Sequence, residues 1–162
     1  MVSLAVEGFR SRLEDVYRAR YIAFCRVVTP MVGDASVAHD VVQEAFVRAL
    51  RYEATYGGGS LEAWVWRIVL RGAHSATGDR RWSLSEGSEG SAVMEARDPV
   101  VAAAIRRLPA RQRLFVFLRY FADLSYPQIA EVCDVAEGTV ASALSVAHRD
   151  LAASLRAETE VV

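Results

Sequence analysis

The sequence predicts an all-α protein built from two small lobes, and three observations support this fold class. Apolar side chains recur three and four residues apart in segment after segment, which is the spacing of amphipathic helices. No segment shows the period-two alternation of a β-strand. Residues 82–98 are rich in Ser, Gly and Glu and carry four acids against one Arg, a net charge of −3. We therefore predict helical lobes over 1–81 and 99–162, joined by a flexible acidic linker.

The first lobe contains three segments with helical apolar spacing. They cover residues 9–28, 36–51 and 61–76. The Pro and Gly of residues 29–34 end the first helix, and three consecutive glycines make residues 52–60 a loop. Ser60 is placed to cap the third helix at its N-terminus, and Gly78 to end it.

The second lobe has the pattern of a helix-turn-helix. A short helix over 99–108 precedes a second one that Pro109 starts, because a proline in the first turn loses no hydrogen bond. Ser125 caps the next helix, residues 134–137 form a turn, and residues 138–156 form the last helix. A helix, a short turn and a second helix make up this motif.

Composition excludes several classes of protein. The chain of 162 residues is 52% apolar, 24% charged and has a net charge of −1, so its whole surface is not that of a nucleic-acid binder. No stretch approaches the roughly 20 apolar residues of a membrane span, and the N-terminus lacks the order of a secretory signal. Cys25 and Cys133 lack metal-ligand spacing and read as buried apolar residues. We expect a cytoplasmic protein with no membrane insertion, metal or cofactor.

Motifs in both lobes resemble those of bacterial sigma factors of the extracytoplasmic-function (ECF) type. In the first lobe the similar segments are HDVVQEAFVRAL (39–50) and WVWRIVLRGA (64–73). In the second lobe they are RLPARQRLFVFLRYFADLSYPQIAEV (107–132) and EGTVASAL (137–144). The resemblance implies a sigma domain 2 over 1–81 for polymerase binding and the minus-ten element, and a sigma domain 4 over 99–162 for the minus-thirty-five element.

The second helix carries a polar and acidic strip opposite its apolar face. Charge alone favours an ordinary solvated face, although such a strip can also pair with an Arg-rich partner helix. The resemblance implies that it binds the clamp helices of the polymerase β′ subunit, while domain 4 contacts the β flap. The residues assigned to polymerase binding are Asp40, Gln43, Glu44 and Arg48.

The third helix and the loop before it are implied to capture bases of the minus-ten element. Trp64 and Trp66 are two residues apart, so they cannot both face one core. Trp64 matches the buried position of the family, which leaves Trp66 for stacking on an unpaired base. The family's Arg-Asn pair falls on Leu70 and Arg71, a departure that bears on promoter preference. The expected minus-ten set is Tyr56, Trp66, Arg67, Arg71, Arg80 and Arg81.

The last helix departs further from the family. Ala141, Ala143, Val146 and His148 stand where basic residues are usual, and Asp134 replaces the turn glycine, a position where Asp tolerates a left-handed backbone. Each lost phosphate contact flattens the salt dependence of DNA binding by ~0.9 log units. The residues expected to contact duplex DNA are Arg111, Arg113, Thr139, Ser142, Ser145, His148 and Arg149.

The function that these features predict is that of an ECF-type sigma factor, which binds core RNA polymerase, directs it to promoter DNA and helps open the minus-ten region. The alternative is a sigma-like regulatory protein whose Ala- and Ser-rich last helix binds protein rather than DNA. An enzyme is a distant third, because no nucleophile, base and orienting group recur at usable spacing. The family resemblance also suggests an anti-sigma factor as a partner.

Overall fold

The structure, a computed structural model, describes residues 2–78 and 98–160. The regular secondary structure in this part of the chain is all helical, as the sequence predicts. Its helices are α1 (Val2–Val32), α2 (Ala35–Arg51), α3 (Leu61–Thr77), α4 (Pro99–Arg106), α5 (Ala110–Tyr120), α6 (Tyr126–Cys133) and α7 (Glu137–Glu160), with a 3-10 turn at Glu53–Thr55. The predicted linker lies outside the described residues except for Asp98, which caps α4 by accepting from the backbone of Val100.

The first helix runs past the point where the sequence predicts its end. We expected Pro and Gly within 29–34 to stop it, but α1 includes Pro30 and ends at Val32. The Thr29 hydroxyl donates to the Cys25 carbonyl at 2.7 Å, and the Gly33 N–H donates to Thr29 at 2.8 Å. Pro30 cannot donate a backbone N–H to the preceding turn, yet α1 continues for two residues beyond it; the terminator is Gly33, whose φ is +81°.

The predicted caps of α3 are confirmed. The Ser60 hydroxyl accepts from the Ala63 N–H at 3.1 Å, which satisfies one of the free donors of the first turn. Gly78 ends the helix with a φ of +69°, a conformation that glycine adopts without steric cost. These caps set where α3 begins after the glycine loop, and therefore which of its side chains lie beside that loop.

Helices α1, α2 and α3 pack against one another around a continuous apolar core. Its largest fully buried side chain is Trp66, whose ring lies 4.3 Å from that of Phe24 between centroids. Phe46 closes the same core from α2, with its ring 5.6 Å from Phe24. This packing leaves the outer faces of α2 and α3 exposed side by side.

The second lobe contains the predicted helix-turn-helix in α6 and α7. Ser125 and Gln128 form a reciprocal capping box at the start of α6. Asp134 then adopts the left-handed conformation at φ +53°, as expected for the residue that replaces the turn glycine. Val140, Leu144 and other buried side chains hold α7 against α5 and α6.

Two arginines of the first lobe join it to the second. Arg20 on α1 bonds the Glu62 carboxylate at 2.7 Å and donates to the Ala122 carbonyl at the end of α5, also at 2.7 Å. Arg67 on α3 donates to the Glu131 carbonyl on α6 at 3.0 Å. Helix α3 packs on α6 and α1 on α5, so the lobes share an interface and α6 lies beside α3.

Candidate polymerase and promoter interface

The polar strip of α2 lies on the surface of the protein. Asp40, Gln43 and Glu44 are exposed, and the Arg48 Nε donates to the Glu44 carboxylate at 3.1 Å. Val47 and Leu50 continue the same outer face and are 40% and 46% exposed. Leu50 faces outward, so the acidic strip ends in an exposed apolar pair.

A groove between α2 and α3 borders this strip. Asp40, Glu44 and Arg48 line one wall, and the small residues of the last turns of α3 line the other. Gly72 makes the close approach of these helices possible, since a Cβ there would meet Val41 Cγ1 at 3.3 Å. The acidic strip therefore lies exposed along one edge of this groove.

The assignment of the two tryptophans was wrong and is reversed in the structure. Trp66 is fully buried and cannot stack on a base, whereas Trp64 is half-buried at the surface of α3. The physical reason is visible in the spacing of Trp66, Leu70 and Ala73, which form the buried face of α3 and all lie within the core. Trp64 therefore replaces Trp66 as the aromatic residue available at this surface.

Trp64 belongs to an aromatic cluster at the glycine loop. Its ring lies 5.5 Å from Tyr56 and 6.1 Å from Phe9, and the rings of Phe9 and Tyr56 are 5.7 Å apart. The Tyr56 hydroxyl donates to the Gly59 carbonyl at 2.6 Å and accepts from the Arg12 guanidinium at 3.1 Å. Tyr56 thus packs beside Trp64 at the glycine loop, in contact with Phe9 and Arg12 of α1, which the sequence did not indicate.

The arginines of α3 differ in their surroundings. Arg71 is exposed on the same outer surface as Trp64. Arg67 turns toward the second lobe, with its guanidinium 3.5 Å from the Glu131 carboxylate in addition to the bond with the Glu131 carbonyl. Both arginines line a small open cavity with Val132 and Asp134 of the second lobe. The other two predicted arginines of this set, Arg80 and Arg81, lie outside the described residues.

The face of α7 that we expect at duplex DNA is mostly small and polar. Ser142 and Ser145 are exposed, and the Ser142 hydroxyl donates to the Gly138 carbonyl at 2.9 Å; Thr139 is partly buried. The His148 Nε2 lies 2.7 Å from the Tyr120 hydroxyl, so this histidine is held against α5. Arg149 is exposed one residue farther along.

The prediction for Arg113 was wrong. Its side chain is buried, and its guanidinium donates to the Arg106 carbonyl at 3.1 Å, which ties α5 to the end of α4. Burial removes it from any surface that meets DNA. Arg111, two residues earlier, is exposed and lies over the Phe115 ring at 5.6 Å, so it stays available.

Both cysteines are buried, as the sequence predicts. Burial raises the pKa of the Cys133 thiol to about 12, against a smaller lowering by the charge of Arg111. Burial also raises the pKa of Cys25, and burial with help from Cys25 raises the pKa of Tyr21 to about 12. These groups therefore stay neutral at physiological pH; Cys25 and Tyr21 lie on α1, and Cys133 packs in the second lobe at the end of α6.

Within the described ranges, no group of three or more His, Cys, Asp or Glu side chains is arranged to hold a metal ion. None of the helices that the structure describes has both the length and the apolar character needed to cross a membrane.

Comparison with known proteins relates both lobes to one family. The family models for Sigma-70 region 2 and for Sigma-70, region 4 match residues 16–83 and residues 100–151. The ECF RNA polymerase sigma factor SigL of Mycobacterium tuberculosis is 29% identical, with 96% of this chain and 95% of SigL aligned. RNA polymerase sigma-H factor of Pseudomonas aeruginosa is 31% identical over 72% of each chain.

A solved structure shows the same fold. The sigma factor RpoE of Bartonella quintana, solved in complex with the anti-sigma factor NepR, superposes with a TM-score of 0.67 at 20% identity. The alignment covers 93% of this chain and 98% of RpoE. Two ordered sigma regions, an exposed acidic strip on α2 and a helix-turn-helix in α6 and α7 agree with these matches. The chain belongs to the ECF sigma factors, which bind core RNA polymerase and direct it to initiate transcription at specific promoters.

Proposed function

We propose that the outer face of α2 is the polymerase-binding surface of this sigma factor. The observation that carries this assignment is the exposure of Asp40, Gln43 and Glu44 on one face that ends in the apolar pair Val47 and Leu50. Carboxylates form short, charge-assisted hydrogen bonds with arginines. Burial of the adjacent apolar pair at the interface adds a hydrophobic contribution to the binding free energy. The complementary partner is a helix of the β′ clamp that carries arginines opposite the carboxylates and an apolar stretch opposite Val47 and Leu50. Arg48 orients Glu44 within the strip.

We also propose that the aromatic cluster at the glycine loop captures an unpaired base of the minus-ten element. Trp64 and Tyr56 present partly exposed rings beside a loop that has open space around Gly57, Gly58 and Gly59. Flipping a base costs a few kcal/mol, which stacking on an aromatic ring repays at ~1–3 kcal/mol per base. The cluster thus offsets much of the cost of flipping one base of the minus-ten element.

Replacing Trp64 with Ala is expected to weaken the binding of single-stranded minus-ten DNA about tenfold, since one stacking partner is lost. Holoenzyme carrying the variant is titrated against a fluorescently labelled non-template strand, and anisotropy reports binding. Trp64→Phe, which keeps a ring, serves as the matched control and should retain most of the affinity. Equal affinity for wild type and Trp64→Ala would remove Trp64 from the proposed site.

Arg71 and Arg67 are proposed to hold phosphates of the same strand. Arg71 is exposed and free to turn toward DNA, whereas Arg67 must first leave Glu131. Both groups of this ion pair are more than a third exposed, so water and salt screen it and its separation costs ~1 kcal/mol or less. Arg67 is thus shared between the second lobe and the promoter.

Neutralising the Glu131 carboxylate on α6 tests whether Glu131 and DNA compete for Arg67. Glu131→Gln is expected to raise the affinity of the free chain for the same single strand, by at most about fivefold. The carbonyl of residue 131 still accepts from Arg67, so the gain stays small. Asp150→Asn removes the same charge from an exposed position on α7 and is the control. If both variants bind the strand alike, Glu131 does not compete with DNA for Arg67.

In the second lobe, α7 is proposed to read the minus-thirty-five duplex with few phosphate contacts. Arg111, Ser142, Ser145 and Arg149 are exposed, and Thr139 is partly buried near the start of the helix. We place His148 on the same DNA-facing surface, where its bond with the Tyr120 hydroxyl fixes the position of the ring. The family matches give no support to the alternative in which α7 binds protein in place of DNA. These assignments make residues 1–81 the polymerase and minus-ten domain, 82–98 the linker and 99–162 the minus-thirty-five domain.

The same proposal includes the setting in which this factor works. A protein that acts on core polymerase and DNA belongs in the cytoplasm and is a regulator, not an enzyme. The solved RpoE–NepR complex shows that a protein of this fold is held by an anti-sigma factor. We propose a partner of that class for this chain, with β′, the β flap and promoter DNA as its other partners.

A further inference from the structure

We infer that Arg12, on α1, is a positioning residue for the base-capturing loop. The inference rests on the proposed role of Trp64 and Tyr56 and adds a residue that lies outside the matched sigma region, which begins at residue 16. The loop it acts on spans residues 52–60 and contains Gly57, Gly58 and Gly59.

The loop needs an external tether because its backbone has little stiffness. Gly58 and Gly59 have φ values of +94° and +81°, and a Cβ added at either would meet open space. The glycines are therefore present for their backbone conformation and not for close packing. Glycine has more conformational freedom in an untethered chain than any other residue, so a defined loop shape requires contacts that hold it.

A chain of two hydrogen bonds supplies these contacts. The Arg12 guanidinium donates to the Tyr56 hydroxyl at 3.1 Å, and the same hydroxyl donates to the Gly59 carbonyl at 2.6 Å. A hydroxyl that accepts from a cation becomes a stronger donor, so the first bond strengthens the second. The guanidinium also lies 5.7 Å from the centre of the Tyr56 ring, within range of a cation–π contact.

Phe9 fixes the other side of the tether. Its side chain is only 7% exposed and its ring contacts those of Tyr56 and Trp64, so the start of α1 is anchored against the loop. Arg12 is one turn farther along the same helix and is exposed. The first turns of α1 thus hold Tyr56 in one orientation, and through Tyr56 they set the distance between the loop and Trp64.

The Arg12 tether is expected to affect discrimination between bases of the minus-ten element and not polymerase binding. A base that stacks on Trp64 must also fit the loop, and discrimination between bases depends on a loop of fixed shape. Without Arg12, the Tyr56 hydroxyl is held less firmly, and the Gly59 carbonyl is no longer fixed relative to the Tyr56 ring. Stacking on Trp64 persists, because every base has a π-face, but the preference among bases falls.

The test is transcription by reconstituted holoenzyme from a promoter library with a randomised minus-ten region, followed by sequencing of the transcripts. Arg12→Ala is expected to lower the preference for the selected bases about two- to tenfold, the range that one lost hydrogen bond gives. Arg12→Lys, which keeps a donor, should restore most of it. Arg10→Ala, an exposed arginine on the same helix, should leave it unchanged.

Tyr56→Phe supplies a second, independent readout. It removes the hydroxyl that links Arg12 to Gly59, so its loss of base preference should match that of Arg12→Ala. The double variant should lose no more than either single variant, because both changes break one chain of bonds. A merely structural role for Arg12 would lower the melting temperature and leave the base preference intact.

Two results overturn the inference, and Trp64→Ala tells them apart. If Arg12→Ala keeps the wild-type base preference while Trp64→Ala weakens single-strand binding in the anisotropy titration, base capture stands and positioning by Arg12 fails. If Arg12→Ala keeps the preference and Trp64→Ala also binds the single strand as tightly as wild type, the proposed capture of a base at the aromatic cluster fails as well.

Discussion

The double variant Asp40→Arg, Glu44→Arg is expected to lose at least about a hundredfold in affinity for core RNA polymerase, because it places like charges against an arginine-bearing partner. Both side chains are exposed on α2 and leave the core untouched, so the fold should persist. Co-purification of the tagged variant with core polymerase, and a titration by surface plasmon resonance, measure the loss. An unchanged circular dichroism spectrum and melting temperature establish that the protein is folded.

A matched control separates position from net charge. Glu7→Arg with Asp15→Arg makes the same change of charge on exposed positions of α1, away from the α2 strip. This control should bind core polymerase nearly as well as wild type does. If the α2 variant also co-purifies with core polymerase at the wild-type level, the acidic strip is not the polymerase-binding surface.

The second large effect is on stability and follows from the burial of Trp66. Trp66→Ala removes the largest fully buried side chain and leaves a cavity against Phe24, which is expected to cost ~3–5 kcal/mol. For a chain of this length each kcal/mol lowers the melting temperature by roughly 2–4 °C. A fall of about 10 °C in a thermal melt followed by circular dichroism is the predicted result.

Trp66→Phe refines this prediction. Among the described residues, the Trp66 Nε1–H has no hydrogen-bond partner, so phenylalanine removes a buried donor without leaving an acceptor unpaired. The loss for Trp66→Phe should therefore be well below that for Trp66→Ala. Trp64→Ala, at the half-buried position, should also melt above Trp66→Ala. The reverse order would mean that Trp64, and not Trp66, fills the core.

Local features of the fold were predictable because their causes lie within a few residues. Ser60 and Ser125 cap the helices that follow them, and Gly78 and Asp134 adopt the left-handed turns expected of them. Each depends on a side chain bonding to the adjacent backbone, or on the steric tolerance of one residue. The order of helices and the exposure of the α2 strip follow from apolar spacing in the same way.

The choice between the two tryptophans was also predictable, but from a different signal. The family pattern placed Trp64 inside, whereas the helical spacing of Trp66 with Leu70 and Ala73 places Trp66 on the core face. Spacing within this chain therefore outweighs the position of a residue in a motif. The burial of Arg113 could not be predicted in this way. Helical spacing does not indicate that a guanidinium is buried and bonds a carbonyl seven residues earlier.

Contacts between distant segments could not be predicted from one sequence. Arg20 with Ala122, Arg67 with Glu131, and Arg12 with Tyr56 each depend on how helices pack after they form. All three are arginines whose planar fork bonds a carbonyl, a carboxylate or a hydroxyl wherever one lies within reach. These contacts connect the candidate promoter surface to α1 and α6.

Transcription start mapping tests whether this chain directs promoter-specific initiation. Genomic DNA of the source organism is transcribed by core polymerase alone, with the wild-type chain, and with Asp40→Arg, Glu44→Arg. Wild type should produce new, discrete start sites that share sequence elements near minus ten and minus thirty-five, and the variant should produce none. Start sites that match those of core polymerase alone would show that this chain does not direct initiation.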